Sequence, residues 1–219
     1  MTSPTIRSAL PQSAPDGTEQ SPQAGAPSAT DRTRLRIHPE RSAPDELVGI
    51  LRDGLVAHVA IADEAGPVVI PMTYYFHPEH PRRIYIHGAH HSRLMKHVAS
   101  GAPVCVSVTL VDGLVYSRSA RYHSVNYRSA ICFGTARIVD NLEEQQRAAE
   151  GIVERYFPGR IAGVDYLSPP EEHLKGTAIL AIEVTDASAK VRRGGPKGPL
   201  DHDPTAMGSA GVLYFDPPR

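Results

Sequence analysis

His87, Gly88, His90, His91, Ser92, Arg93 and Lys96 crowd into one turn that leaves an apolar strand and opens a short helix. Such a turn presents backbone N–H groups without acceptors and the positive end of a helix dipole, and cationic side chains beside it suit a phosphate group. A second concentration runs through Tyr116-Ser117-Arg118-Ser119 and His123-Ser124-Val125-Asn126-Tyr127-Arg128-Ser129, polar and aromatic residues set between two apolar strands. A core strand would not need them. A ligand carrying both a phosphate and a flat polar ring would.

Other chemistries are weaker matches. His87, His90 and His91 could bind a metal or haem iron, since imidazole is a common nitrogen ligand, but no acidic or thiol residue stands beside them in the turn. Arg93 and Lys96 read, on their own, equally well as a solvated helix face. Asp45, Glu46, Glu171 and Glu172 fall at helix starts, where acidic side chains favour the dipole, so they are not candidates for paired catalytic carboxylates. Cys105 and Cys132 lie inside apolar runs and read as small buried hydrophobes rather than as a disulfide or a nucleophile.

The elements that must hold these residues follow from periodicity and turn signals. Residues 1–32 are rich in Pro, Ser, Ala and Gly and nearly free of large apolar side chains, which makes them a disordered leader. Thr33–His38 is a basic segment that reads as an arm or edge strand or, equally, as a solvated linker, and Ser42 with Pro44, Asp45 and Glu46 marks a helix start that Gly54 ends. Leu55–Ile61 and Val68–Phe76 form a hairpin, and Pro71 inside the second run marks an edge, a bulge or a backbone turned towards a ligand. Strands follow at Arg83–Gly88, Pro103–Val111 with a bend or bulge at Asp112-Gly113, Ala130–Val139 and Ala178–Val184. Helices are expected from Ser92 to Ala99, from Asn141 in a capping box with Glu144, and after Ser168-Pro169-Pro170. On the helix after Asn141, the stripe Leu142, Ala149, Ile152, Val153 and Tyr156 reads as core. Residues 192–219 read as a flexible Gly- and Pro-rich tail.

Short links between strands with few helices favour a mainly β, antiparallel barrel over a doubly wound sheet, and no Gly-x-Gly-x-x-Gly lies between a strand and a helix. The 23 basic and 24 acidic residues nearly cancel, so no overall field favours nucleic acid or an anionic membrane. No apolar run reaches the length of a signal peptide core or a membrane span, which gives a cytoplasmic expectation.

With Ile70-Pro71, Tyr85-Ile86-His87-Gly88, Ser92-Arg93, Ala102-Pro103-Val104-Cys105-Val106, His123-Ser124-Val125-Asn126-Tyr127-Arg128-Ser129 and Phe133-Gly134-Thr135-Ala136 in place, the chain from Arg34 to Val191 resembles a known family. It is similar to the flavin-binding split-barrel proteins related to pyridoxamine 5′-phosphate oxidase, and within them to the nitroimidazole-resistance-like flavin-nucleotide-binding branch. The resemblance implies a six-stranded antiparallel split barrel over 33–191, a homodimer, and FMN in a groove between subunits. It also implies cofactor contacts at Pro71, Met72 and Thr73 along the ring edge, His87 and Gly88 beneath the ring, Ser92, Arg93 and Lys96 at the phosphate, and Ser124, Asn126, Tyr127 and Arg128 closing the site. The chain has no Trp, and Gly208–Tyr214 does not match the C-terminal segment with which the oxidase proper holds its substrate.

The activity implied is that of an FMN-dependent oxidoreductase passing electrons from a reduced nicotinamide, NAD(P)H, to a small oxidised or nitro-type acceptor, with the flavin carrying the chemistry. The alternative is a non-catalytic flavin- or haem-binding sensor or storage protein, with His87 as the candidate haem ligand.

Overall fold

The computed structural model describes residues 25, 27, 30–77 and 80–215. Most of the expected leader, 1–32, lies outside them. Six long strands, β1 (Ala57–Asp63), β2 (Gly66–Met72), β4 (Arg83–Ala89), β5 (Val104–Tyr116), β6 (Ser124–Ile138) and β7 (Thr177–Arg192), are joined by two short ones, β3 (Tyr75–Phe76) and β8 (Gly211–Tyr214). They form one antiparallel sheet in the order β2-β1-β5-β6-β7-β4-β3, with β8 paired to β5. This is the split-barrel fold.

Alternation supplies the core. In β1, Ala57, Val59 and Ile61 turn inward while His58 and Ala62 face out, and β5 buries Val104, Val106, Val108 and Leu110 in the same rhythm. Helix α1 (Leu47–Asp53) adds Leu47, Ile50 and Leu51 to this core, and α2 (Arg93–Ala99) adds Leu94, Met95 and Val98. A second, smaller cluster joins Val139, Ala148, Leu174, Ile179 and Ala181 beneath α3 (Leu142–Tyr156) and α4 (Glu171–Gly176).

The run expected as one strand over Val68–Phe76 is divided between opposite edges of the sheet, because the chain leaves β2 at Met72 and re-enters as β3. Tyr74 makes the crossing. Its ring is fully buried, its N–H donates to the Tyr156 hydroxyl at 3.1 Å, and its own hydroxyl reaches the Leu51 carbonyl at 2.6 Å. The backbone is satisfied by side chains there, so no ladder is needed. Pro71 does sit on an edge strand, opposite His58, and the bulge falls between Val111 and Gly113.

Other expectations need correction. Ser42 does not cap a helix; it bridges Lys190, and a 3-10 turn over Pro44–Glu46 precedes α1. Asn141 accepts the Glu144 N–H at 2.9 Å, but the Glu144 carboxylate does not complete a capping box, being taken by Tyr85 at 2.8 Å and Arg137 at 2.6 Å. On α3 the buried positions are Ala148 and Gly151, while Leu142 is exposed and Ile152 and Val153 are half-buried. β6 begins at Ser124, so the polar segment is itself strand. The expected tail folds back: β8 pairs Gly113–Tyr116, Asp201 accepts from Ser117 at 2.8 Å, and the Arg118 guanidinium donates to the Ala206 and Gly208 carbonyls.

Candidate functional site

Ser92 caps α2, its hydroxyl oxygen accepting from the Met95 N–H at 3.2 Å. Arg93 reaches away from the helix to the β1–β2 turn, where Nε donates to Asp63 Oδ2 at 2.5 Å and Nη2 donates to Asp63 Oδ1 and, at 3.1 Å, to the Gly66 carbonyl. The hydrogen bonds from Arg93 hold the Asp63 carboxyl down at about 2. Lys96 is exposed and has no partner among the described residues. Among the described residues, Arg93 is therefore already paired and Lys96 is not. A Cβ at Gly88 would lie 3.3 Å from Met95 Cγ, so this glycine lets α2 close against β4.

Pro71 and Thr73 are exposed and Met72 is half-buried on β2 and just beyond it. Because β2 is an edge among the described strands, its outer backbone groups have no partner in them and can face a ligand. From Gly66, which Arg93 touches, to Pro71 the strand advances about 17 Å at roughly 3.4 Å per residue.

The β6 residues are more committed to the fold than their motif suggests. Asn126 is buried; its Oδ1 accepts from Arg192 Nη1, and its Nδ2 donates to the Gly194 carbonyl at 3.2 Å. Arg192 is also buried, and all three of its acceptors are neutral oxygens, on Asn126, Gly194 and Gly195. Burial pushes this guanidinium below its ordinary pKa. Arg128 lies between two carboxylates, with Nη2 donating to Asp112 Oδ1 at 3.0 Å and Nη1 to Asp53 Oδ2 at 3.0 Å. Ser124 and Tyr127 stay half-exposed. In the sheet order β6 is three places from β2, so within one chain Ser124 to Arg128 and Pro71 to Thr73 are not brought to a common point.

Two pockets were not foreseen. Along β5, β1 pairs with Cys105–Val108 and β8 with Gly113–Tyr116, which leaves a gap at Thr109–Asp112. A pocket of about 400 Å³ fills that gap, walled by Asp53, Leu55, His58, Asp112, Tyr214 and Phe215. His58, a polar residue facing out of an apolar strand, is the kind of signal of it that the sequence carries. A second pocket, of about 290 Å³, lies where α3 and α4 meet β4 and β7. His87 and His173 line it with Ile152, Val153, Leu174 and Ile179. The His87 imidazole forms no hydrogen bond among the described residues, its Nδ1 is buried without a partner, and burial lowers its pKa. His90 and His91 are exposed and do not line this pocket.

Nucleophilic chemistry has little support. Both cysteines are free thiols, and burial pushes Cys132 up to about 12. Among the described residues no three His, Cys, Asp or Glu side chains gather to hold a metal ion, and no helix is long and apolar enough to cross a membrane.

A family model described as pyridoxamine 5′-phosphate oxidase matches residues 43–191. No curated protein matches the chain. Among solved structures, the flavocytochrome Anf3 from Azotobacter vinelandii is similar at a TM-score of 0.72 and 29% identity, over 87% of this chain and 87% of that one. The FAD and heme binding protein from Mycobacterium smegmatis is similar at 0.71 and 29% identity, over 80% and 84%. A protein from Bacteroides thetaiotaomicron named for 5-nitroimidazole antibiotic resistance shares the fold at 0.55 and 21% identity, over 68% and 84%.

Proposed function

Because the chain belongs to the pyridoxamine 5′-phosphate oxidase family, we propose that it binds a flavin nucleotide and acts as a flavin-dependent oxidoreductase. One observation carries the reading: Arg93 ties the phosphate-type turn of α2 to the β1–β2 turn, at one end of the open edge strand that carries Pro71 and Met72 at its other end. A phosphate beside Ser92, Arg93 and Lys96 and a ring beside Pro71 to Thr73 suit an extended flavin nucleotide. The protein's own work is then to hold the phosphate, to offer backbone hydrogen bonds to the ring edge, and to exclude water.

Ser124 to Arg128 stand three strands away from Pro71, and a second copy of the chain would bring them to the same ligand. The outer sheet face, which exposes Val69, Val111 and Ile131, is the surface such a homodimer would use. The pocket between β1 and β8 would take the small acceptor, with reduced nicotinamide as the electron donor.

The test is a visible spectrum of purified protein after desalting, with FMN and with FAD, followed by anaerobic addition of NADH or NADPH. Retained flavin that bleaches with the nicotinamide and recovers when a nitro compound or quinone is added supports the reading. Flavin that is retained but bleaches only slowly with every donor leaves a binding protein, and no retained flavin overturns it.

The second reading, haem binding, is favoured by the pocket at His87: an imidazole without hydrogen bonds, set among aliphatic side chains, suits an axial ligand in an apolar site. Haem when bound supplies one-electron chemistry; here His87 would hold the iron, and Ile152, Val153, Leu174 and Ile179 would face the ring. Similarity to a flavocytochrome and to a FAD and heme binding protein adds weight. A Soret band that survives desalting supports it, and its absence after incubation with hemin removes it.

A further inference from the structure

Resting on the haem reading, we propose that the pocket beneath α3 and α4 holds the iron through two imidazoles of the same chain, His87 from β4 and His173 from α4, leaving no open position on the metal.

Among the described side chains lining the pocket two histidines carry nitrogen, and they come from different walls. His87 stands on the sheet, paired across the ladder with Ile179, and α3 covers it through Ile152 and Val153. His173 stands on α4, whose neighbour Leu174 is buried in the small core and fixes which way that helix faces. Neither imidazole forms a side-chain hydrogen bond, although His173 is exposed and His87 has its Nδ1 buried. Packing leaves the buried His87 Nδ1 without a partner, while His173 is open to the pocket mouth and to water.

The donor set points to a porphyrin rather than a bare ion. A structural or catalytic metal ion takes three or four protein ligands, and no such group exists among the described residues. Iron in a porphyrin already has four nitrogen ligands and needs only one or two axial ones. Aliphatic walls suit the faces of a flat macrocycle and offer nothing to a hydrated ion. The loop leading to Pro169 at the pocket rim exposes Val164 and Leu167, apolar surface that a ring larger than the pocket would cover. An iron held on both faces suits electron transfer, because a small molecule has no place to bind.

The experiment incubates the full-length chain with hemin, desalts it, and records visible and electron paramagnetic resonance spectra of the wild type, His87→Ala and His173→Ala. Circular dichroism shows that each variant is folded. The expected wild type is low-spin and six-coordinate. His173→Ala should keep haem but become high-spin and bind carbon monoxide at once when reduced, and added imidazole should restore the low-spin spectrum. His87→Ala should lower haem affinity about tenfold or more. Haem bound by a His173→Ala protein that stays low-spin overturns the two-histidine arrangement and leaves haem binding intact, and so does haem bound unchanged by His87→Ala. A wild type that holds no haem overturns the haem reading itself, and this inference with it.

Discussion

Arg93 and Asp63 meet across the gap between α2 and the β1–β2 turn, Nε to Oδ2 at 2.5 Å, with the carboxyl held down at about 2. The cation best placed for a flavin phosphate is thus already occupied at neutral pH. Binding must exchange one anion for another, so Asp63→Asn should tighten FMN about two- to fivefold, the range of an exposed ion pair. Arg93→Ala should weaken it by more. Equilibrium dialysis reads both, and an Asp63→Asn protein with weaker binding would show that the pair positions the site instead of competing with it.

His87 gives stability a pH dependence of known sign. Burial lowers its pKa from 6.5, so the unfolded chain takes up the proton first as the pH falls. Its contribution is complete above about 6.5 and is lost as the pH drops towards the folded value. Urea midpoints of the wild type and His87→Leu, compared at pH 8 and pH 5.5, should show a larger acid loss in the wild type. Equal losses would mean that the imidazole is hydrated.

Arg128 holds Asp53 and Asp112 together at the end of the barrel. Arg128→Met removes the guanidinium that the two part-buried carboxylates share, leaving Asp53 only the exposed Arg52, and should cost about 1–3 kcal/mol in urea unfolding. Asp112→Asn in that background should recover part of the loss, since it removes one of the charges. Additive losses would show that the two residues act separately.

Among the described glycines, Gly134 has the least room for a side chain. It sits at the register shift between β6 and β7, and a Cβ there would lie 2.0 Å from the Glu183 carbonyl oxygen. That neighbour is backbone and cannot rotate away. Gly134→Ala should lower stability by about 1–3 kcal/mol, read from thermal unfolding, whereas Gly195→Ala, with open space around it, should be close to neutral.

Periodicity and local chemistry, read without any structure, were enough for the strands β1, β4 and β5, for the helix beginning at Ser92-Arg93, for the Asn141 cap and for the irregularity at Asp112-Gly113, while Pro71 was narrowed to a few settings of which the edge is one. Each depends on residues within a few places of one another, and so each is written locally. What the local pattern shows of a side chain is its capacity to donate or accept, not which group takes it up. The motif around Asn126 and Arg128 offered amide and guanidinium groups for a ligand, but Arg192, 66 residues from Asn126, and Asp53, 75 residues from Arg128, are the partners that the fold supplies. The split of Val68–Phe76 between two edges, the return of Gly211–Tyr214 to β5, and the sharing of one pocket by His87 and His173 were likewise decided only in three dimensions, because strand pairing and pocket walls join segments whose separation along the chain carries no local signal.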